Sequence, residues 1–168
     1  DIWYTQGGAL LAPENGTIDG QDDFDPSKTV VGYTPGTIWQ TTVEGWAADG
    51  KIKEARATGD QTESIVALQN GKIDAFLTDS PVVENLMKFQ PETLKGLKLC
   101  SNYKDTEAEI GRIAPSVKFG NEDFMKDINK VVAEMRDEGV LDQIYEKYGL
   151  DPKLHAITND QKDNGLNK

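Results

Sequence analysis

Three β-branched residues, Thr29, Val30 and Val31, run through Gly32 into a Pro35-Gly36 turn, and Thr37-Ile38-Trp39-Gln40 then matches the Thr-x-x-Gln box that opens a helix. No other stretch constrains the fold as tightly. A strand, a tight loop and a helix start must follow one another between Thr29 and Gln40. The first amides of a helix lack intrahelical partners and sit at the positive end of its dipole, so the backbone from Gly36 to Ile38 is a candidate seat for a small anion.

A second stretch, Lys72 to Pro81, pairs with the first. Its apolar run Ile73, Ala75, Phe76, Leu77 ends at Asp79, and Ser80-Pro81 supplies an N-cap and first turn for a following helix. Asp79 is therefore not needed as the cap and reads as an uncommitted carboxylate. If the two strands are parallel neighbours, anion seat and carboxylate lie together at the strands' carboxyl ends, where open α/β sheets bind ligands. That combination suits a zwitterion.

Composition removes several classes of function. A formal net charge of -11 argues against nucleic acid and against anionic membrane surfaces, which are approached through clusters of Lys and Arg. Cys100 is the only cysteine and His155 the only histidine, so neither a Cys-rich or His-based metal site nor a Ser-His-Asp triad has its raw material. No metal and no cofactor are expected. The chain has no apolar run near the roughly 18 residues of a membrane span, and its first residues lack the basic and apolar regions of a signal peptide.

Taken in order, Trp3 to Ala12 reads as one extended segment with Gly7-Gly8 as a flexible or bulged point, and Asn15-Gly16-Thr17 as a turn that also spells a glycosylation sequon. A helix from Thr37 to Ala48 places Trp39, Val43 and Trp46 on one face. Lys51 to Ala57 alternates as a strand, Asp60-x-x-Glu63 caps a helix carrying Ile65 and Leu68, and Asn70-Gly71 ends it. The Ile73–Thr78 strand, a helix with Val82, Val83, Leu86 and Met87, and an apolar run at Leu97–Ser101 follow. The fold class is α/β: a three-layer arrangement with helices on both faces of a parallel sheet. Past an extended Glu109–Ala114, Asn121 caps a helix striped by Phe124, Ile128, Val131, Val132 and Met135. Gly139 breaks it before a second helix, and Asp151 to Lys168 reads as a mobile tail or a strap over the surface.

The blocks VVGYTPGT, ALQNGKIDAFLTDSP and DINKVVAEMRDEGVLDQIYEKYG resemble the second half of the bacterial extracellular solute-binding proteins that serve polar amino acid ABC transporters. In that family two lobes close on an amino acid across two hinge strands. The resemblance implies a second lobe with hinge strands at its ends over 1–108, a return crossing and C-terminal helices that normally pack on the first lobe over 109–150, and a tail over 151–168. It also implies site residues: Gly36 with the amides of Thr37 and Ile38 for the ligand's α-carboxylate, Asp79 for its α-ammonium, and Thr34 and Gln61 for its side chain. A periplasmic or extracellular location, with or without a lipoprotein anchor, and a membrane permease as partner come with it.

Two features depart from the family's pattern. Ile38 stands where many relatives have a hydroxyl residue or Gly, so only its amide can serve. The first lobe, which brings an arginine to the carboxylate, has no counterpart, and none of Arg56, Arg112 and Arg136 lies in a matching motif. The C-terminal stripe is therefore expected to be covered by that missing lobe as a separate chain, by a second copy through domain swapping, or by a non-standard fold-back. Two alternatives stay open on the same scaffold: an enzyme resembling cyclohexadienyl dehydratases, and the sensor domain of a membrane receptor.

Overall fold

The computed structural model describes residues 1–106 and 109–161. In chain order it contains β1 (Tyr4–Gln6), β2 (Gly8–Pro13), β3 (Val30–Tyr33), α1 (Ile38–Ala48), β4 (Glu54–Ala57), α2 (Gln61–Gln69), β5 (Ala75–Asp79), α3 (Ser80–Phe89), β6 (Leu97–Leu99), β7 (Gly111–Ile113), α4 (Glu122–Asp137), α5 (Val140–Tyr148) and α6 (Pro152–His155). Contacts divide the chain into a larger unit, Gly7–Glu109, and a smaller one made of Asp1–Gln6 with the residues from Ile110 onward.

The larger unit is built on a five-stranded sheet of order β4-β3-β5-β2-β6. β3 pairs parallel with β4 and with β5, whereas β2 pairs antiparallel with β5 and with β6. The sheet is thus mixed, which corrects the expectation of a wholly parallel one. The apolar run at Ala9–Ala12 is buried on both faces, and such a run reads the same whichever way the strand points. The expected single segment from Trp3 to Ala12 is also two strands, parted at Gly7.

Successive side chains of a strand point to opposite faces, and the two cores follow that period of two. Leu10 and Ala12 of β2 with Ala75 and Leu77 of β5 join Val31, Trp39, Val43 and Trp46 beneath α1. Ala9, Leu11 and Phe76 join Ile65, Leu68 and Val83 beneath α2 and α3 on the other face. Three layers result, as expected. Cys100 lies in the first core with its Sγ 3.7 Å from the Ile18 carbonyl oxygen.

In the smaller unit β1 and β7 form an antiparallel ribbon with Thr5 opposite Arg112. Gly139, at φ 71°, separates α4 from α5 as the sequence suggests. Asn121 occupies the N-cap position of α4, yet its side chain makes no capping bond. Val132 is buried while Phe124 and Val131 of the same stripe are more than half exposed, as is Tyr148 of α5. The segment expected to be a mobile tail or a surface strap begins as packed structure. The Asp151 side chain caps α6 by accepting from the Lys153 amide, and His155 is buried with Nδ1 2.9 Å from the Thr5 carbonyl oxygen. The rest of that expectation, 162–168, lies outside the described residues.

Two measurements check this packing. Phe76 is fully buried between β2 and the helices, so Phe76→Ala is expected to cost about 3–5 kcal/mol in urea unfolding, whereas Ile38→Ala at an exposed position should stay within about 0.5 kcal/mol. Burial pushes the Cys100 thiol up to about 12, so a thiol reagent at pH 8 should leave the native chain unmodified and label one group per chain in denaturant.

Candidate functional site

The parallel strands β4, β3 and β5 all end at one edge of the sheet, and every site residue singled out from the sequence stands at those strand ends, in the turn after β3 or at the first residue of the helix that follows. After β3 the chain turns through Thr34-Pro35-Gly36-Thr37. Proline at the second position, Gly36 at φ +81° in the third, and the Thr37 amide 3.4 Å from the Thr34 carbonyl oxygen define a type II turn. The positive φ is what requires glycine at 36, because a Cβ there would meet nothing within 4 Å.

Thr37 has the extended backbone of an N-cap, but the expected capping box does not form. Its hydroxyl donates to the Thr34 carbonyl oxygen at 2.8 Å, and no side chain caps α1. Gln40 instead reaches past Thr37: its Oε1 accepts from the Gly36 amide at 3.0 Å, and its Nε2 donates to Glu44 Oε1 at 2.9 Å. Glu44 also accepts from the buried Tyr33 hydroxyl at 2.7 Å, a bond that, with burial, raises the phenol above its ordinary range. Ile38 is about half exposed, consistent with only its main chain serving a ligand.

Asp79 closes β5. Against the expectation that Ser80 is the N-cap and Pro81 the first helical residue, α3 begins at Ser80 and Asp79 stands at its N-cap position, although the Asp79 side chain makes no capping bond. It is not the uncommitted carboxylate read from the sequence, because Trp39 Nε1 donates to its Oδ1 at 2.9 Å. Trp39 lies in the first turn of α1 and is buried, so this bond ties Asp79 to the same helix end that follows Gly36.

Thr34 and Gln61, expected at the ligand's side chain, are half-buried. Thr34 uses its carbonyl within the turn, and Gln61 opens α2 after Asp60, whose side chain accepts from the Glu63 amide at 2.9 Å as the capping pattern requires. Gln61 shares the sheet edge with Gly36 and Asp79, on a helix that packs on the opposite face from α1. Two concavities have volumes of about 360 and 380 Å³, the second reaching the β4–α2 connection at Thr58 and Gly59 and the start of α2 at Thr62. One is at the opposite edge, bordered by Thr29 and Asp74, and the other lies along α2 beside Thr58 and Lys72.

The structure adds residues that the sequence did not single out. Gly8 is the register partner of Asp79, and its amide donates to Asp105 Oδ2 at 2.8 Å. The Tyr103 hydroxyl donates to Asp105 Oδ1, also at 2.8 Å, and burial together with that carboxylate holds the phenol well above its ordinary range. The Ser80 amide donates to the Gly7 carbonyl oxygen at 2.9 Å. The only local signal was the glycine doublet itself, standing directly before a buried strand.

Comparison with known proteins gives the chain's family. The model of the bacterial extracellular solute-binding proteins, family 3, matches residues 27–151. The chain belongs to that family. It is 29% identical over 149 residues to the L-cystine-binding protein TcyJ of Escherichia coli strain K12, covering 86% of this chain and 51% of that protein. It is 25% identical over 142 residues to a probable histidine-binding protein of Campylobacter jejuni, covering 84% of this chain and 51% of that protein. Among solved structures, an ancestral arginine-binding protein bound to glutamine superposes with a TM-score of 0.64 at 27% identity, over 88% of this chain and 61% of that one. The chain thus spans about half the length of the curated relatives it matches.

The Trp39 to Asp79 bond makes a prediction independent of any ligand. Asp79→Ala leaves a buried indole N–H without its acceptor and should cost about 1–3 kcal/mol in urea unfolding. Asp79→Asn keeps an oxygen for the indole, and its cost should be less than half as large.

Proposed function

We propose that this chain is the ligand-binding second lobe, with its C-terminal helices, of the substrate-binding component of an amino acid ABC importer. The α-carboxylate sits on the amides of Gly36, Thr37 and Ile38, and the α-ammonium on Asp79. Thr34 and Gln61 face the ligand's side chain. The observation that carries this reading is the parallel pairing of β3 with β5, Val31 opposite Ala75 and Gly32 opposite Phe76, which brings the turn at Gly36 and the carboxylate of Asp79 to one edge. The indole bond from α1 to Asp79 supports it. The printed names of the relatives are those of binders of histidine and cystine, both zwitterions.

The work is binding and release by hinge closure rather than chemistry, on the outer side of the cytoplasmic membrane, with a membrane permease as partner. Among the described residues no helix is long and apolar enough to cross a membrane. A first lobe supplies the other half of the ligand's contacts and covers the exposed apolar side chains Phe124, Val131 and Tyr148; a second copy of this chain is the rival occupant.

Magnitudes set what the half-site does alone. Charge-assisted hydrogen bonds contribute roughly 1.5–3 kcal/mol each, whereas association costs about 4–15 kcal/mol before any affinity is seen. Calorimetric or NMR titration with L-histidine, L-arginine, L-cystine and glycine is expected to show dissociation constants of about a millimolar or weaker for this chain. Joining a family first lobe should tighten the best of them by about 100-fold or more. Asp79→Asn should remove binding in both forms. Micromolar binding by the chain alone, or unchanged binding by Asp79→Asn, refutes the assignment.

A further inference from the structure

Gly7 and Gly8 are glycines because side chains already fill the space above them. A Cβ on Gly7 would stand 2.3 Å from Asp105 Oδ2, and one on Gly8 would stand 2.9 Å from each of Asp105 Oδ1, the Trp39 ring and the Tyr103 hydroxyl. The main chain at Gly8 is therefore pressed directly beneath the Trp39 indole. What holds it there is the Asp105 carboxylate, one oxygen on the Gly8 amide and the other on the Tyr103 hydroxyl, both at 2.8 Å. From Gly8 two routes lead to Asp79. Along the main chain, Gly8 and Asp79 are partners in the β2/β5 ladder, and the Ser80 amide is bonded to the Gly7 carbonyl. Through side chains, the ring that rests on Gly8 donates its Nε1–H to Asp79 Oδ1 at 2.9 Å.

We propose that Asp105 is a positioning residue for zwitterion binding: by seating Gly8 under Trp39 it fixes the indole, and the indole fixes the Asp79 carboxylate that receives the ammonium. This inference rests on the reading of Asp79 as the ammonium anchor. Both oxygens of Asp105 are engaged with protein donors, which favours support over direct contact with the ligand. The geometry of those bonds, not the negative charge, is what the role needs. An asparagine satisfies it, since its oxygen accepts from the Gly8 amide while its NH₂ donates to the Tyr103 oxygen.

The test is a proton–nitrogen NMR comparison of the chain and its variants, with the Trp39 indole resonance assigned from Trp39→Phe. In the ligand-free chain, Asp105→Ala should shift that resonance toward its unfolded position and speed its hydrogen exchange, while Asp105→Asn leaves both unchanged. With glycine as the probe, Asp105→Ala should weaken binding by about two- to tenfold, the worth of one ordinary hydrogen bond, and Asp105→Asn should restore it. An unmoved indole in Asp105→Ala overturns the proposal, as does an Asp105→Asn variant as impaired as Asp105→Ala, which would assign the effect to charge. Should Asp105→Ala fail to fold, Tyr103→Phe removes one of the two bonds: a moved indole supports the assignment and an unmoved one overturns it. If glycine perturbs no resonance near Gly36 or Asp79 in the unsubstituted chain, the ligand reading fails, while the indole comparison still decides whether Asp105 positions Asp79.

Discussion

The pairing of Val31 with Ala75 and Gly32 with Phe76 is the contact on which the rest of the larger unit depends. Two strands more than forty residues apart in the chain lie side by side and point the same way, so the turn that leaves one and the acid that ends the other come out at the same edge. The crossover that parallel pairing requires carries α1, β4 and α2: β4 joins the sheet, and the two helices pack on its opposite faces. Both faces are closed, and the apolar runs of β2, β3 and β5 are buried almost without interruption. With both faces committed to packing, the strand ends are where the larger unit can present backbone amides and a carboxylate together.

Trp39 converts that topology into a defined arrangement of charge. Its ring fills the core beneath α1, rests on Gly8, and spends its single donor on Asp79. An indole N–H buried without an acceptor is costly, so the carboxylate satisfies a structural need as well as standing at the site. Packing and electrostatics meet in one side chain, which is why the acid stays beside the helix end and does not swing into solvent. The smaller unit contrasts with this closure, since the apolar stripe of α4 is only partly covered within it.

How much of this could be read from the residues follows the range of the interactions. The strand–turn–helix at Thr29–Gln40, the cap at Asp60 and the break at Gly139 are decided within a few residues, and the structure has them where local chemistry puts them. The neighbourhood of Gly36 and Asp79 was legible because alternating strands and helices dictate parallel neighbours. The direction of β2 was not, since a strand buried on both faces carries no polarity in its side-chain pattern. The Trp39 to Asp79 bond spans 40 positions and the Gly8 to Asp105 bond 97, and no local periodicity announces either. The capping box at Thr37 matched in pattern and failed in geometry: the Thr37 hydroxyl turns back to the Thr34 carbonyl, the Gln40 amide donates to the Thr37 carbonyl oxygen instead of to that hydroxyl, and the Gln40 side chain goes to the Gly36 amide. His155 looked like part of a polar tail because its burial depends on Thr5, at the far end of the chain.

The bond from the Gly36 amide to Gln40 bears on how an incoming carboxylate is received. That amide already has a protein oxygen for company, itself tethered through Glu44 to the buried Tyr33. On the proposed reading, a ligand oxygen arriving there would swap one acceptor for another and add no bond to the total, so Gly36 would lend little net enthalpy to capture. Selection between a neutral amide oxygen and a charged one then rests on the helix dipole, which favours the ion. In that reading the displaced Gln40 oxygen would turn to water while the Gln40 Nε2 keeps Glu44, so the turn would admit a small anion at less cost than a neutral look-alike.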